Sequence, residues 1–211
     1  MSKYAVVYFD FPFWRAEVPR MCFFIGGVEF EDRRWSFEEF GQKKGELPFG
    51  QLPVLYVGDK VVAQSGGIVR FAAKKAGLYS DDDYKAAKID EVIDYATDIT
   101  NALSPTMREK DEAKKMEMRK EFAEVKIPKY FSALEGLLKA NGNTKYFVGD
   151  SLTAADLVIW RLIGWFTSGK LDGIPADCAE SYQLLSEAIK TVDEHPKVVE
   201  WKAKHSKFYS S

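Results

Sequence analysis

The sequence predicts a small α/β domain followed by an all-α domain, on three observations. Short β-branched and aromatic runs are confined to the first 78 residues. A polar stretch, YSDDDYK (79–85), follows them. Beyond it every apolar pattern has the helical period and none alternates like a strand.

Within the first domain, YAVVYF (4–9) reads as a strand. RAEVPRMCFFIGG reads as a helix from about Arg15 to Gly26-Gly27, with Pro19 awkward in its first turn. VEFEDRRW (28–35) suggests a second strand, Val28 and Phe30 sharing a face. A helix or loop then leads to PVLYVGDKVVAQ, two apolar runs around Gly58-Asp59 and so a hairpin. Ser65 caps a helix carrying Ile68, Val69, Phe71 and Ala72 and ending at Gly77. The order is β-α-β-α-β-β-α over residues 1–78, then a linker at 79–85 and a helical domain over 86–211. In that domain Thr153 and Asp156 form a capping box, flanked by Leu152 and Leu157 as a hydrophobic staple; these residues serve helix nucleation.

The composition excludes several function classes. Lys and Arg number 30 against 32 acidic residues, and no basic stripe interleaved with aromatics stands out, so no nucleic-acid partner is expected. The most apolar run, LVIWRLIGWF (157–166), is short and broken by Arg161, a buried helix and not a membrane span. The N-terminal MSKYAVVYFDF reads as a strand and not as a targeting segment. Cys22 and Cys178 lie far apart, which fits reduced thiols and a cytoplasmic home. There is no C-x-x-C and no glycine-rich phosphate loop, and His195 and His205 lack a pattern of carboxylate partners, so no metal is expected.

The informative stretch is FGQLPVLYVGDKVVAQSGGIVRF (49–71). Pro53 opens a strand although proline cannot donate to a sheet ladder. Gly66 and Gly67 occupy the first turn of a helix, at a cost of about 1 kcal/mol each relative to alanine. Both features suit a ligand that needs backbone brought close. A helix start at Gln64-Ser65 offers N–H groups and the positive dipole end, which favour a carboxylate. The same pattern serves an ordinary hairpin and helix.

A proline at the start of the third strand in this arrangement resembles the thioredoxin fold, in which residue 52 would pair with an extended peptide. The whole chain resembles the cytosolic glutathione transferases, of the tyrosine type and most like the sigma group. The resemblance rests on YFD after strand one, RAE opening the helix, LPFGQLPVL, AQSGGIVRF and VGDSLTAADL. It implies reduced glutathione as co-substrate, a homodimer and a small apolar electrophile. It implies Tyr8 as the catalytic tyrosine with Arg15 beside it. The Leu52 backbone would pair with the cysteinyl part before cis Pro53, and Gln64 and Ser65 would hold the γ-glutamyl carboxylate. Phe40, Lys44 and Gln51 would lie at the glycine end, Phe40 replacing a tryptophan donor and Gln51 a lysine. Asp98 would reach the glutathione of the neighbouring subunit.

The loop DFPFWRAE is longer and more apolar than the family pattern. Phe13 and Trp14, with Ser104 and Met107, are candidates for the electrophile pocket; Phe13 and Trp14 suit simple packing equally. Conjugation is the activity implied. Glutathione-dependent isomerisation of a prostaglandin endoperoxide and a non-catalytic role like that of S-crystallins are the alternatives.

Overall fold

The computed structural model describes residues 3–142 and 145–209. The chain divides into two compact units, residues 1–86 with 194–211, and residues 87–193. The first unit is thioredoxin-like. Its four strands, β1 (Tyr4–Phe9), β2 (Glu31–Trp35), β3 (Val54–Val57) and β4 (Lys60–Ala63), lie in the order β2-β1-β3-β4. β1 runs parallel to β2 and antiparallel to β3, and β3 antiparallel to β4. The central position of β1 explains its apolar run, since Ala5, Val6 and Val7 are all buried.

The two faces of the sheet are covered differently. On one, Tyr4 stacks on Phe23 of helix α1 (Trp14–Ile25) and meets Phe71 of helix α3 (Ser65–Ala76) edge-on. Alternation along β1 directs Tyr8 to that same side. On the other, Val7, Leu47 and Val54 pack with Phe40 of helix α2 (Phe37–Lys43). α1 and α3 close to contact at their C-terminal ends: a Cβ on Gly26 would stand 2.5 Å from the Ala76 Cα, so only glycine fits there. Nine of the twelve residues of α1 are buried, which holds the helix together across Pro19 in its second turn.

The segment before β3 forms the helix of the expected order, α2, whose start is fixed by a reciprocal capping box: Glu39 N–H donates to Ser36 Oγ at 3.1 Å, and Ser36 N–H to Glu39 Oε2 at 2.8 Å. The structure departs from the expected elements in three places. β2 begins at Glu31, leaving Val28 and Phe30 outside the ladder. The linker is shorter than 79–85, because helix α4 (Asp83–Arg108) already starts at Asp83. The run DEAKKMEMRKEFAEVKIPKYFSALEGLLKANG (111–142), helical by period throughout, is divided into α5 (Glu112–Glu121) and α6 (Ile127–Ala140) by a π turn at Phe122–Lys126. Pro128 supplies the reason: it has no N–H for the ladder, and the wider turn before it absorbs the loss.

The second unit is helical throughout, with α7 (Ala154–Phe166) and α8 (Gln183–Asp193) completing it. Ten of the thirteen residues of α7 are buried. Its entry is set by Asp156, whose carboxylate accepts from Phe147 N–H at 2.8 Å, Thr153 N–H at 2.7 Å and Thr153 Oγ1 at 2.8 Å. Burial pushes that carboxyl up to about 6, against the pull of these hydrogen bonds. Helices α9 (Pro196–Lys204) and α10 (Ser206–Tyr209) belong to the first unit, a return that the sequence boundary of 86–211 does not anticipate.

Candidate active site

Tyr8 lies one residue from the C-terminal end of β1, opposite Arg34 of β2, and is 6% exposed. No hydrogen bond from a described residue reaches its hydroxyl. Burial pushes its pKa up to about 12, while the guanidinium charges of Arg15 and then Arg20 pull it down. The hydroxyl therefore keeps its proton at neutral pH and is available as a donor. Cys22 on the same helix as Arg15 is fully buried and its thiol is pushed far up by desolvation, which makes it inert.

Arg15 connects Tyr8 to a shallow cleft lined by Arg15, Phe49, Gln51, Leu52, Pro53, Ala63, Gln64 and Ser65. The Leu52–Pro53 peptide is cis. The β3 ladder begins at Val54, so the backbone of Leu52 lies just outside it. Gln64, and not Ser65 as the sequence suggests, is the N-cap residue of α3, Ser65 being already helical; Gln64 has φ 70° and ψ 126°, the positive φ of a non-glycine residue that is unique among the described residues. Such a conformation costs on the order of 1–3 kcal/mol and concentrates where a ligand is held. It turns the chain so that Gln64 and the buried Ser65 both face the cleft at the N-terminus of α3. A Cβ on Gly67 would meet only Val62 Cγ1 at 3.9 Å, so internal packing does not demand that glycine.

The sequence candidates divide accordingly. Arg15, Gln51, Leu52, Pro53, Gln64 and Ser65 come together in the cleft, with Tyr8 coupled to it through Arg15. Lys44 is exposed in a short 3-10 turn, Lys44–Glu46, and does not line it. Phe40 packs on Phe9 at 5.4 Å and against the Val7, Leu47 and Val54 cluster, a core position of its face of the sheet. Trp14 is fully buried as the first residue of α1 and presents no surface to a second substrate, which corrects its assignment to the pocket. Phe13 is half-buried at the N-cap. The aromatic that instead stands beside Tyr8 and remains open is Phe11, edge-on to it at 5.3 Å and 36% exposed. Phe49 is a further wall that residue-by-residue reading missed; its signal was an apolar residue between Pro48 and Gly50, where a core has no use for one.

In the second unit, Ser104 Oγ donates to the Thr100 carbonyl at 2.8 Å near the end of α4. Met107, one turn on, is exposed, and its sulfur accepts from Arg119 Nη2 at 2.9 Å. Asp98 is exposed and lines an open groove with Glu91, Asp94, Tyr95, Ala133 and Leu137. Among the described residues no group of three or more His, Cys, Asp and Glu is placed to hold a metal, and no helix is long and apolar enough to cross a membrane.

Two family models match the chain, the glutathione S-transferase N-terminal domain over residues 5–74 and the C-terminal domain over residues 97–205. The chain belongs to the glutathione S-transferase family. This transferase is 33% identical to glutathione S-transferase 1 of Ascaris suum over 98% of each chain. Among solved structures it is similar to prostaglandin synthase D of Nilaparvata lugens, with a TM-score of 0.85 and 30% identity over 96% of this chain and 98% of that one. It is also similar to a monomeric glutathione S-transferase of Necator americanus, with a TM-score of 0.81 and 32% identity over 95% and 96%. The cleft of the transferase lies wholly within the residues of its first unit.

Proposed function

We propose that this transferase adds the sulfur of reduced glutathione to apolar electrophiles, with the Tyr8 hydroxyl donating a hydrogen bond to the sulfur and so favouring the thiolate, the thiol proton passing to solvent. The observation that carries this reading is a buried, protonated Tyr8 under the charge of Arg15, which itself lines the cleft. A free thiol of pKa about 8.5 is only a few per cent ionised at neutral pH. A hydrogen bond to the sulfur and a nearby cation both stabilise the charged form over the neutral one. Nothing in this step requires Tyr8 to ionise.

The remaining roles follow the shape of the tripeptide. Gln64, Ser65 and the N–H groups of α3 hold the γ-glutamyl carboxylate, supported by the strained Gln64 backbone. The backbone of Leu52 pairs with the cysteinyl unit beside Pro53, and Gln51 and Lys44 take the glycine end. Phe40 has no donor, and its core contacts leave that end without the indole of the family pattern. Phe11 and Phe13 contribute to the electrophile side. The expected affinity test is calorimetric: Gln64→Ala weakens glutathione binding about tenfold, the worth of one charge-assisted hydrogen bond. Mass analysis of products with a panel of apolar electrophiles checks conjugation. Failure to bind glutathione at millimolar concentration sinks the reading.

The neighbour named as a prostaglandin synthase favours one second reading, glutathione-dependent isomerisation, in which glutathione is regenerated and the product carries no sulfur. We further propose that the enzyme acts in the cytoplasm in detoxification and forms a homodimer. Support for the dimer comes from the exposed Asp98 on an open groove of α4 and α6 and from Phe49, 62% exposed beside the cleft. A relative of the same fold is described as monomeric, so the assembly needs its own measurement. Light scattering is expected to give twice the chain mass, and Phe49→Ser to shift the population towards monomer; a wild-type monomer at micromolar concentration would contradict the dimer.

A further inference from the structure

The end of the chain returns to the residues behind Tyr8. Glu17 is fully buried in the first turn of α1, two positions after Arg15. Among the described residues its carboxylate takes three hydrogen bonds. Arg20 Nη1 donates to Oε2 at 3.3 Å, Trp201 Nε1 to Oε1 at 2.8 Å and the Tyr209 hydroxyl to Oε1 at 2.6 Å. The last two donors come from 184 and 192 positions along the chain. All these residues lie in one compact unit.

A second set of contacts runs alongside. Lys207 Nζ lies 3.1 and 2.9 Å from the two oxygens of Asp10, the residue two after Tyr8. Arg34 shares that carboxylate at 3.0 Å and stands 4.8 Å from the centre of the Phe208 ring. The Lys207–Asp10 pair is exposed at both ends and is screened by solvent, so it is the weaker attachment. The bonds to Glu17 are charge-assisted, those from Arg20 and Trp201 buried and that from Tyr209 partly so, which makes them the stronger attachment.

A buried carboxylate must be neutralised by its surroundings. Arg20 alone is a poor match for Glu17, since its Nε is already committed to Asp32 at 2.8 Å, while its Nη2 has no partner. The Arg20 charge also acts on Tyr8. Unsatisfied negative charge on Glu17 would oppose both the Arg20 field and any anion held at Tyr8. We propose that Trp201 and Tyr209 are positioning residues for the thiolate site: by donating to Glu17 from outside α1 they hold the first turn that carries Arg15 and leave the Arg20 charge acting on Tyr8. The proposal rests on the reading of Tyr8 as the group that stabilises the thiolate. The last two helices of the chain are then part of the catalytic apparatus without touching substrate.

The test is the pH titration of the thiolate absorbance of bound glutathione in wild type, Tyr209→Phe, which loses only the hydroxyl, and Trp201→Phe, which replaces the indole and its donor by a smaller apolar ring. Each is expected to raise the bound thiol pKa by about half a unit and to lower kcat at neutral pH roughly 1.5-fold, with KM for glutathione little changed. Lys207→Ala, which loses only the exposed pair, is expected to move the pKa less. Combining Tyr209→Phe with Glu17→Gln removes the charge that needed the donor, and is expected to return the pKa towards wild type. A merely structural role would lower the unfolding temperature and leave the thiol pKa unmoved. A depressed wild-type pKa that neither ring variant shifts overturns the proposal alone. A wild type with no depression overturns the Tyr8 reading, and the positioning role with it.

Discussion

Tyr8→Phe is expected to lower turnover at neutral pH by about twenty-five-fold while leaving glutathione affinity nearly intact. The magnitude follows from the chemistry: holding a thiol pKa about two units below 8.5 requires roughly 2.7 kcal/mol of preferential stabilisation of the thiolate. On the proposed reading the hydroxyl donates to the sulfur, whereas the tripeptide's other contacts would fall to the cleft residues Gln51, Leu52, Gln64 and Ser65, which the substitution does not touch. The sign of the pH dependence is definite. In wild type the thiolate is fully formed above about pH 7, and in the variant only above about pH 9, so the defect shrinks as pH rises between them. With its own pKa near 12, Tyr8 adds no inflection to that profile in the neutral range. The same burial has a consequence for stability. The folded-state pKa lies above the unfolded value of 10.0, so the neutral ring supports the fold fully below pH 10 and that support fades as pH rises towards 12. Tyr8→Phe lacks this alkaline component. Steady-state kinetics across pH, together with denaturation at pH 8 and 11, check both statements.

The largest effect on stability is expected at a residue remote from the chemistry. Asp156 is 1% exposed and supplies the acceptor for two backbone N–H groups, those of Phe147 and Thr153. Asp156→Ala leaves both donors without that partner in a buried setting and removes the box that starts α7. Each orphaned donor costs about 1–3 kcal/mol and the lost cap about 1, so a total of roughly 3–7 kcal/mol is expected. For a chain of this size that lowers the unfolding temperature by about 10 °C. Asp156→Asn keeps one carbonyl acceptor and is expected to lose less, while Thr153→Ala, which removes only the hydroxyl, is expected to cost about 1 kcal/mol. Denaturant titration of the three variants orders them. An Asp156→Ala protein as stable as Thr153→Ala would show that the two amides find other partners.

Much of this was legible because it is written locally. The run YAVVYF, the hairpin at Gly58-Asp59 and the glycine ending α3 each specify backbone geometry by residue type, and Gly58 and Gly77 adopt the positive φ that such positions need. Pro53 and Gln64-Ser65 were conspicuous for the opposite reason, being poor choices for a strand and helix that serve only the core. The left-handed backbone of Gln64 was not legible, because glutamine carries no preference for it. α2 had a readable signal in Ser36 and Glu39, three apart, which alternating charges nearby obscured. Trp14 shows the limit of apolar residues in a loop: the same side chain suits a pocket wall or a core, and three-dimensional packing decides. The donors to Glu17 lie at the far end of the chain, where nothing about Trp201 or Tyr209 names a partner so distant in sequence.

The most direct test of the account is the pKa of glutathione's thiol when bound to the wild-type protein, followed by its thiolate absorbance as pH is varied and set against Tyr8→Phe. It needs no knowledge of the electrophile. The account predicts a wild-type value about two units below that of the free thiol, moving most of the way back in the variant. Glutathione bound with an unshifted thiol, or a depressed pKa that survives Tyr8→Phe, would contradict it.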